Sequence, residues 1–283
     1  MNYILKYSKN NMFTLFRITC LVFIISHSHS KRVVIPTQMQ DEQLRIHHGR
    51  DIRPDEYSFV VVLIDLDFLS FRRCSGSMIT EIWGLSAAHC FIGIPYHIWF
   101  KNFTELPVRL ETAAEVLETF VHPSYRNVYG GRLLVENDIG LFHTSKIYVK
   151  KFARLSAIDY STMLGLAVTY AGGGLTQYNI TIDVIKEDKL KQLQVGEGEI
   201  IKCFPEVRKL SKYLMCVTPK CANRLQKIWH SDSGGPLIHD EKVIGVASMG
   251  TSSPRLSHTG FTPISPYLDW IYQVNNKCQW HKH

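Results

Sequence analysis

The sequence lacks any apolar run long enough to cross a bilayer, any CxxC pair, any internal repeat, and any Pro-, Gly- or Ser-rich tract that would mark a linker between domains. These absences exclude a membrane-spanning bundle, which needs about 20 apolar residues per helix, the commonest structural zinc spacing and a solenoid. Clustered basic charge is missing too. The 32 Lys and Arg are scattered among 25 acidic residues, whereas a nucleic-acid binder gathers its cations on one element. What remains is a chain of 283 residues, 45% hydrophobic and 20% charged, which excludes disorder and collagen and suffices for one large domain or two small cores.

Residues 1–30 read as an export signal. Lys6, Lys9 and Arg17 precede the apolar stretch ITCLVFIIS at 18–26 and a small-residue tract around Ser28 and Ser30. Met12 offers an alternative start, and a short signal anchor is the competing reading. The three leader cations account for three of the net charge of +7, leaving +4 on residues 31–283. Export makes disulfides the default use of cysteine. Cys20 belongs to the leader; Cys74, Cys90, Cys203, Cys216, Cys221 and Cys278 remain, with their connectivity open. The pairs His47-His48 and His281/His283 lack metal-ligand spacing and read as surface residues, so no metal or cofactor is expected. Asn102-Phe103-Thr104 and Asn179-Ile180-Thr181 are glycosylation sequons.

Residues 58–68, SFVVVLIDLDF, begin as a β-branched run and end in alternation at Leu66 and Phe68, the pattern of a strand first fully and then half buried. Short apolar runs at 83–88, 135–142, 167–170 and 242–247 recur between turn-rich stretches. Together they predict an all-β sandwich or barrel. At the end of the chain Leu268, Ile271, Tyr272 and Asn275 follow helical spacing after Ser265-Pro266, which predicts a C-terminal helix on the β-core.

Three segments carry chemistry: LSAAHC with His89, NDIGL with Asp138, and SDSGGPL with Ser233. Singly, each reads as a core histidine, a turn aspartate or a glycine-rich loop. Jointly they do not, because an exact DSGGP run alone arises by chance in roughly one such chain in several thousand. The set resembles the trypsin and chymotrypsin family of serine proteases over nearly all of residues 45–283. Cys74 lies sixteen positions before Cys90 in CSGSMITEIWGLSAAHC; His122-Pro123-Ser124-Tyr125 leads toward Asp138; Ala171-Gly172-Gly173-Gly174 stands where a G-W-G motif is usual. The resemblance implies two antiparallel six-stranded β-barrels with the active site between them. It also implies disulfides Cys74–Cys90 and Cys203–Cys216, and leaves Cys221 and Cys278 to pair with each other.

By that resemblance Ser233 is the nucleophile, His89 the base that takes its proton and returns it to the leaving amine, and Asp138 the group that orients the ring. The N–H groups of Ser231 and Ser233 form the oxyanion hole, and Ser248 and Gly250 pair with substrate backbone. Arg45-Ile46 resembles an activation junction. Residues 31–45 would then be a propeptide and 46–283 the protease domain, with the amine released on Ile46 pairing with Asp232.

The sequence departs from the family at several places: His48 stands for glycine at the activation junction, Met249 for tryptophan in the substrate-pairing strand, and three further changes touch the oxyanion hole and pocket. Ser231 replaces glycine, putting a side chain where substrate backbone approaches. Trp229 and Ser253 stand where a pocket disulfide is usual. Lys227 occupies the floor of the primary pocket in place of an aspartate, which argues against Arg or Lys substrates. Its ammonium would meet an acidic substrate group, or its stem would line an apolar pocket with Ile228 and Met249 facing inward. The predicted function is a secreted, zymogen-activated serine endopeptidase; the alternative is an inactive homologue serving as a binding module or cascade cofactor. The implied partners are protein or peptide substrates, a trypsin-like activating protease and protein inhibitors, for a monomeric enzyme.

Overall fold

The computed structural model describes residues 46, 49–65, 71–92, 97–108, 111–130, 132–174, 191–209, 211–220, 226, 228, 231–250 and 259–280. A short β1 (Arg50–Asp51) leads into a first closed barrel of β2 (Val60–Asp65), β3 (Phe71–Met78), β4 (Trp83–Ser86), β5 (His97–Trp99) and β6 (Ala113–Val121). A separate hairpin of β7 (Arg126–Gly130) and β8 (Arg132–Glu136) follows, and β9 (Gly140–Thr144) closes the barrel between β4 and β6. After β10 (Arg154–Leu155), a second barrel is built from β11 (Ala167–Gly172), β12 (Gln194–Ile201), β13 (Met215–Pro219), β14 (Pro236–His239), β15 (Lys242–Gly250) and β16 (Thr259–Pro263). Its ring runs β12-β11-β14-β15-β16-β13 and returns to β12. The two six-stranded barrels and the terminal helix agree with the expected fold.

The β-branched run at the start of β2 is buried at every position. One face fills the first barrel; the other packs on the second, where the Cγ2 of Val62 lies 2.4 Å from the place a Cβ on Gly173 would take. A strand covered on both faces cannot alternate, and the sequence VVVLID does not. Leu66 and Phe68, where alternation was expected, lie outside the described residues. The predicted strand at 135–142 is instead two strands, because Asn137, Asp138 and Ile139 leave the sheet between β8 and β9. Asn137 adopts φ 52°, a conformation that breaks the ladder and that asparagine tolerates better than most side chains.

The C-terminal helix spans Leu268–Trp280, after a single 3-10 turn at Ser265–Tyr267. Ile271 is buried, while Trp270 and Val274 pack on the same core. Tyr272, expected on this face, is 71% exposed. It neighbours Ile271 in sequence and is therefore turned about 100° from it around the helix.

His122 stands edge-on to the rings of Tyr267 and Trp270, at 5.1 Å from each. Burial depresses its pKa below the ordinary value, since the ring is more easily kept neutral there. Its contribution to stability is therefore present above the unfolded value of about 6.5 and lost as pH falls through the lower folded value. Between pH 7 and pH 5 the Tm of the parent should fall more than that of His122→Phe. Melts at both pH values test this, because the other titrating groups are common to the two proteins.

Candidate active site

The three motif residues come from three turns at the facing ends of the barrels. His89 lies in a 3-10 turn, Ala88–Phe91, directly after β4; Asp138 lies in the break between β8 and β9; Ser233 lies in the turn before β14. The first two thus belong to the first barrel and the third to the second.

Asp138 is buried and meets three donors. Its Oδ1 accepts the backbone N–H of His89 at 2.9 Å, and its Oδ2 lies 2.7 Å from Nδ1 of the same residue. The hydroxyl of Ser248 donates to Oδ2 at 2.6 Å. A carboxylate only accepts, so Nδ1 carries the imidazole proton and Nε2 is left as the acceptor, the tautomer that general-base chemistry needs. The approach of the aspartate is set by Asn137, whose Nδ2 donates to the Ser124 carbonyl at 2.7 Å while its Oδ1 accepts from the Tyr267 hydroxyl at 2.9 Å.

The disulfide Cys74–Cys90 ties β3 to the His89 turn. Cys90 Sγ lies 3.8 Å from the carbonyl oxygen of Ser233, which brings the histidine turn against the serine turn. That carbonyl accepts the N–H of Ser75 at 2.8 Å. Gly234, next in the chain, has φ 85°, and a Cβ there would stand 2.0 Å from the Ser86 hydroxyl and 2.2 Å from the Ser75 carbonyl. Only glycine fits so close a crossing of the two barrels. Cys74, Cys90 and His89 lie within metal-ligating reach of one another, but both sulfurs are committed to the disulfide and cannot act as thiolate ligands.

Ser231 adopts φ 72°, which explains why this position suits glycine. An L side chain there costs about 1–2 kcal/mol. Its hydroxyl turns inward and donates to the carbonyl of Arg72 at 2.8 Å, a bond of about 1 kcal/mol that offsets much of the strain. Ser231 is only 8% exposed, so its side chain is folded into the protein instead of standing in the path of a ligand. Asp232 is buried beside it, and its Oδ1 accepts the N–H of Gly174 at 2.8 Å. A Cβ on Gly172 would lie 2.3 Å from that oxygen, which accounts for glycine at 172.

Of the residues expected at an activation junction, Arg45 lies outside the described residues. Ile46 is fully buried in the second core, its Cγ2 2.8 Å from where a Cβ on Gly196 would stand. In the pocket region Lys227, Trp229 and Ser253 are likewise outside the described residues. Gln226 is held from two sides: its carbonyl accepts the Tyr170 hydroxyl at 2.7 Å, and its Oε1 accepts the Glu197 N–H at 2.8 Å. Burial raises the pKa of Tyr170, keeping that hydroxyl a donor. Ile228 is buried in the second core, with its carbonyl 3.1 Å from the Cβ that Gly250 lacks. An inward-facing Met249 belonged to one of the two arrangements expected for the pocket. Met249 packs instead on the cluster around the Cys203–Cys216 disulfide, because Ser248 on the same strand takes the inward direction toward Asp138.

Cys221 and Asn179 fall outside the described residues, as does the side chain of Cys278. Asn102 is exposed in a turn at φ 54°, with the buried Phe103 packing on Trp99 at 5.4 Å. Sequence reasoning assigned Ser248 through its backbone and missed its hydroxyl. It also missed Asn137, Arg72 and Ser75, whose partners lie far away along the chain. The only available signal was asparagine immediately before the aspartate, a residue type suited to positive φ.

The Trypsin family model matches residues 47–271, and the chain belongs to this family of serine proteases. Chymotrypsin of Phaedon cochleariae is 25% identical over 243 residues, covering 82% of this chain and 82% of its own length. Trypsin 5G1 of Aedes aegypti is 25% identical over 244 residues, covering 82% and 85%. Serine protease SSP1 of Scolopendra subspinipes is 25% identical over 264 residues, covering 86% and 87%. No helix among the described residues is long and apolar enough to cross a membrane.

Proposed function

We propose that this protein is a secreted serine endopeptidase, made with a signal peptide at 1–30 and a propeptide at 31–45, and activated by cleavage after Arg45. The observation that carries the reading is the His89–Asp138 contact of 2.7 Å, with the histidine turn lying against the backbone of Ser233. Nε2 of His89 accepts the Ser233 proton as Oγ attacks the substrate carbonyl. The bond from Oγ to carbon forms, and the carbonyl electrons move to oxygen. His89 then returns the proton to the departing amine, leaving an acyl-enzyme that water hydrolyses by the same steps. The N–H groups of Ser231 and Ser233 stabilise the oxyanion, each by about 3 kcal/mol in comparable sites. Ser248 and Gly250 on β15 pair with substrate backbone, and a glycan on Asn102 fits the exposure of that turn. A fluorophosphonate should label the chain beginning at Ile46 and fail to label its Ser233→Ala variant. Failure to label the parent would leave a binding module or cascade cofactor as the function.

The resemblance puts Lys227 at the pocket floor, and a lysine there disfavours basic substrates. An ammonium facing a substrate cation sets like charges together with both desolvated, at a cost of several kcal/mol. Cleavage at Arg45 therefore falls to a separate trypsin-like protease. A digest of an unbiased peptide library should contain few products ending in Arg or Lys. Efficient cleavage after arginine, lost in Ser233→Ala, would put a different residue at the floor.

A further inference from the structure

Ser75, in β3 of the first barrel, is wholly buried and reaches both halves of the proposed oxyanion hole. Its N–H donates to the carbonyl of Ser233 at 2.8 Å. Its hydroxyl donates to the carbonyl of Ser231 at 3.0 Å and accepts the N–H of Gly173 at 2.9 Å. Its own carbonyl accepts the Ser86 hydroxyl at 2.7 Å, which fixes the residue in turn. The two residues whose N–H groups would bind the oxyanion are thus each held by their carbonyl from one residue of the opposite barrel.

We propose that Ser75 is a positioning residue for the oxyanion hole, its hydroxyl holding the Ser231 peptide in the productive orientation; this rests on the hydrolase reading above. Ser231 needs such a restraint because it sits at φ 72°, a region from which an L residue relaxes unless held. Rotation of φ toward negative values would swing the Ser231 N–H away from that of Ser233. Two hydroxyl bonds oppose the rotation: Ser75 Oγ to the Ser231 carbonyl, and Ser231 Oγ to the Arg72 carbonyl. Arg72 is a stable anchor. It is 1% exposed, and its guanidinium donates to the carbonyls of Phe103 at 3.1 Å and Lys191 at 2.8 Å while lying 4.8 Å from the Trp99 ring. The Gly173 N–H completes the relay, since it leaves the Ser75 hydroxyl proton no choice but the Ser231 carbonyl.

Oxyanion stabilisation acts in the transition state and hardly at all on bound substrate, so the hydroxyl should influence kcat and spare KM. In activated protein normalised to fluorophosphonate-titrated sites, Ser75→Ala should lower kcat by roughly tenfold, the scale of one lost hydrogen bond, with KM unchanged. A peptide aldehyde, whose carbonyl becomes a hemiacetal oxyanion when Ser233 adds to it, should lose affinity in the same proportion. The corresponding peptide alcohol should bind as before. Should Ser75→Ala fail to fold, Ser75→Gly removes the same hydroxyl and keeps the same backbone bonds. Unchanged kcat and aldehyde affinity in a folded variant, or a loss confined to KM, overturns the proposal while leaving the protease reading intact. A parent protein that is never labelled overturns both.

Discussion

Alanine at His89 should lower kcat by about a millionfold, and alanine at Asp138 by about ten-thousandfold, as for triads elsewhere. The inequality follows from what each group does. On the proposed mechanism, removing His89 leaves no base to receive the Ser233 proton. Without Asp138 the imidazole remains, but its residue loses two constraints at once, the 2.7 Å partner of Nδ1 and the acceptor of the His89 backbone N–H at 2.9 Å, and the Ser248 hydroxyl loses its acceptor. The double variant should be little slower than His89→Ala alone, because the aspartate's part in the proposed chemistry runs through His89. Single-turnover assays on an ester substrate, with Ser233→Ala as the background, read all three values. A loss of tenfold or less at His89 would remove it from the chemistry.

The elements that could be read from the sequence are those set by local pattern. The β-branched burst at Val60–Val62, the Ser265-Pro266 helix start and the spacing of Cys74 and Cys90 each declare themselves within a short stretch of chain. The break at Asn137–Ile139 did not, because its apolar flanks mask a positive φ. Tyr272 misled because a tyrosine beside a buried isoleucine satisfies a loose helical template while lying on the other side of the cylinder. Residue types singled out His89, Asp138 and Ser233 as candidates, whereas several of the groups that hold their turns are generic serines and an asparagine. Ser75 and Ser231 lie 156 positions apart, and Ser248 and Asp138 lie 110 apart. No periodicity reports such a pairing, since it exists only once the barrels have met.

The departure at Ser231 acquires a physical sense through those contacts. A side chain there was expected to crowd the substrate, yet its hydroxyl finds the Arg72 carbonyl and its carbonyl finds Ser75. The strain of the left-handed conformation and the bonds that retain it are of similar size, so the turn keeps the geometry without glycine.

Activation provides the second large effect. A single-chain protein blocked by Arg45→Gln, and a cleaved protein carrying Asp232→Asn, should both fold and both be nearly inactive. The Ile46 side chain already has its seat, fully buried against Tyr170 and Gly196. Cleavage adds no apolar contact at that side chain; it adds a charged amine. The counter-charge proposed for it is the carboxylate of Asp232, which is 1% exposed and bonded through Oδ1 to the Gly174 N–H. Asparagine keeps the shape and one acceptor oxygen, so the Gly174 bond survives while the charge is lost. Leaving one member of a buried pair without the other costs roughly 3–5 kcal/mol, a factor of about a hundred to several thousand in the population of the ordered turn. That turn carries Ser231 and Ser233, so the loss should appear in kcat together with weaker aldehyde binding, while Tm changes little. Turnover by uncleaved Arg45→Gln protein at the rate of the cleaved parent would show that the turn is ordered without the amine, and that the bonds from Ser75 and Arg72 suffice to hold it.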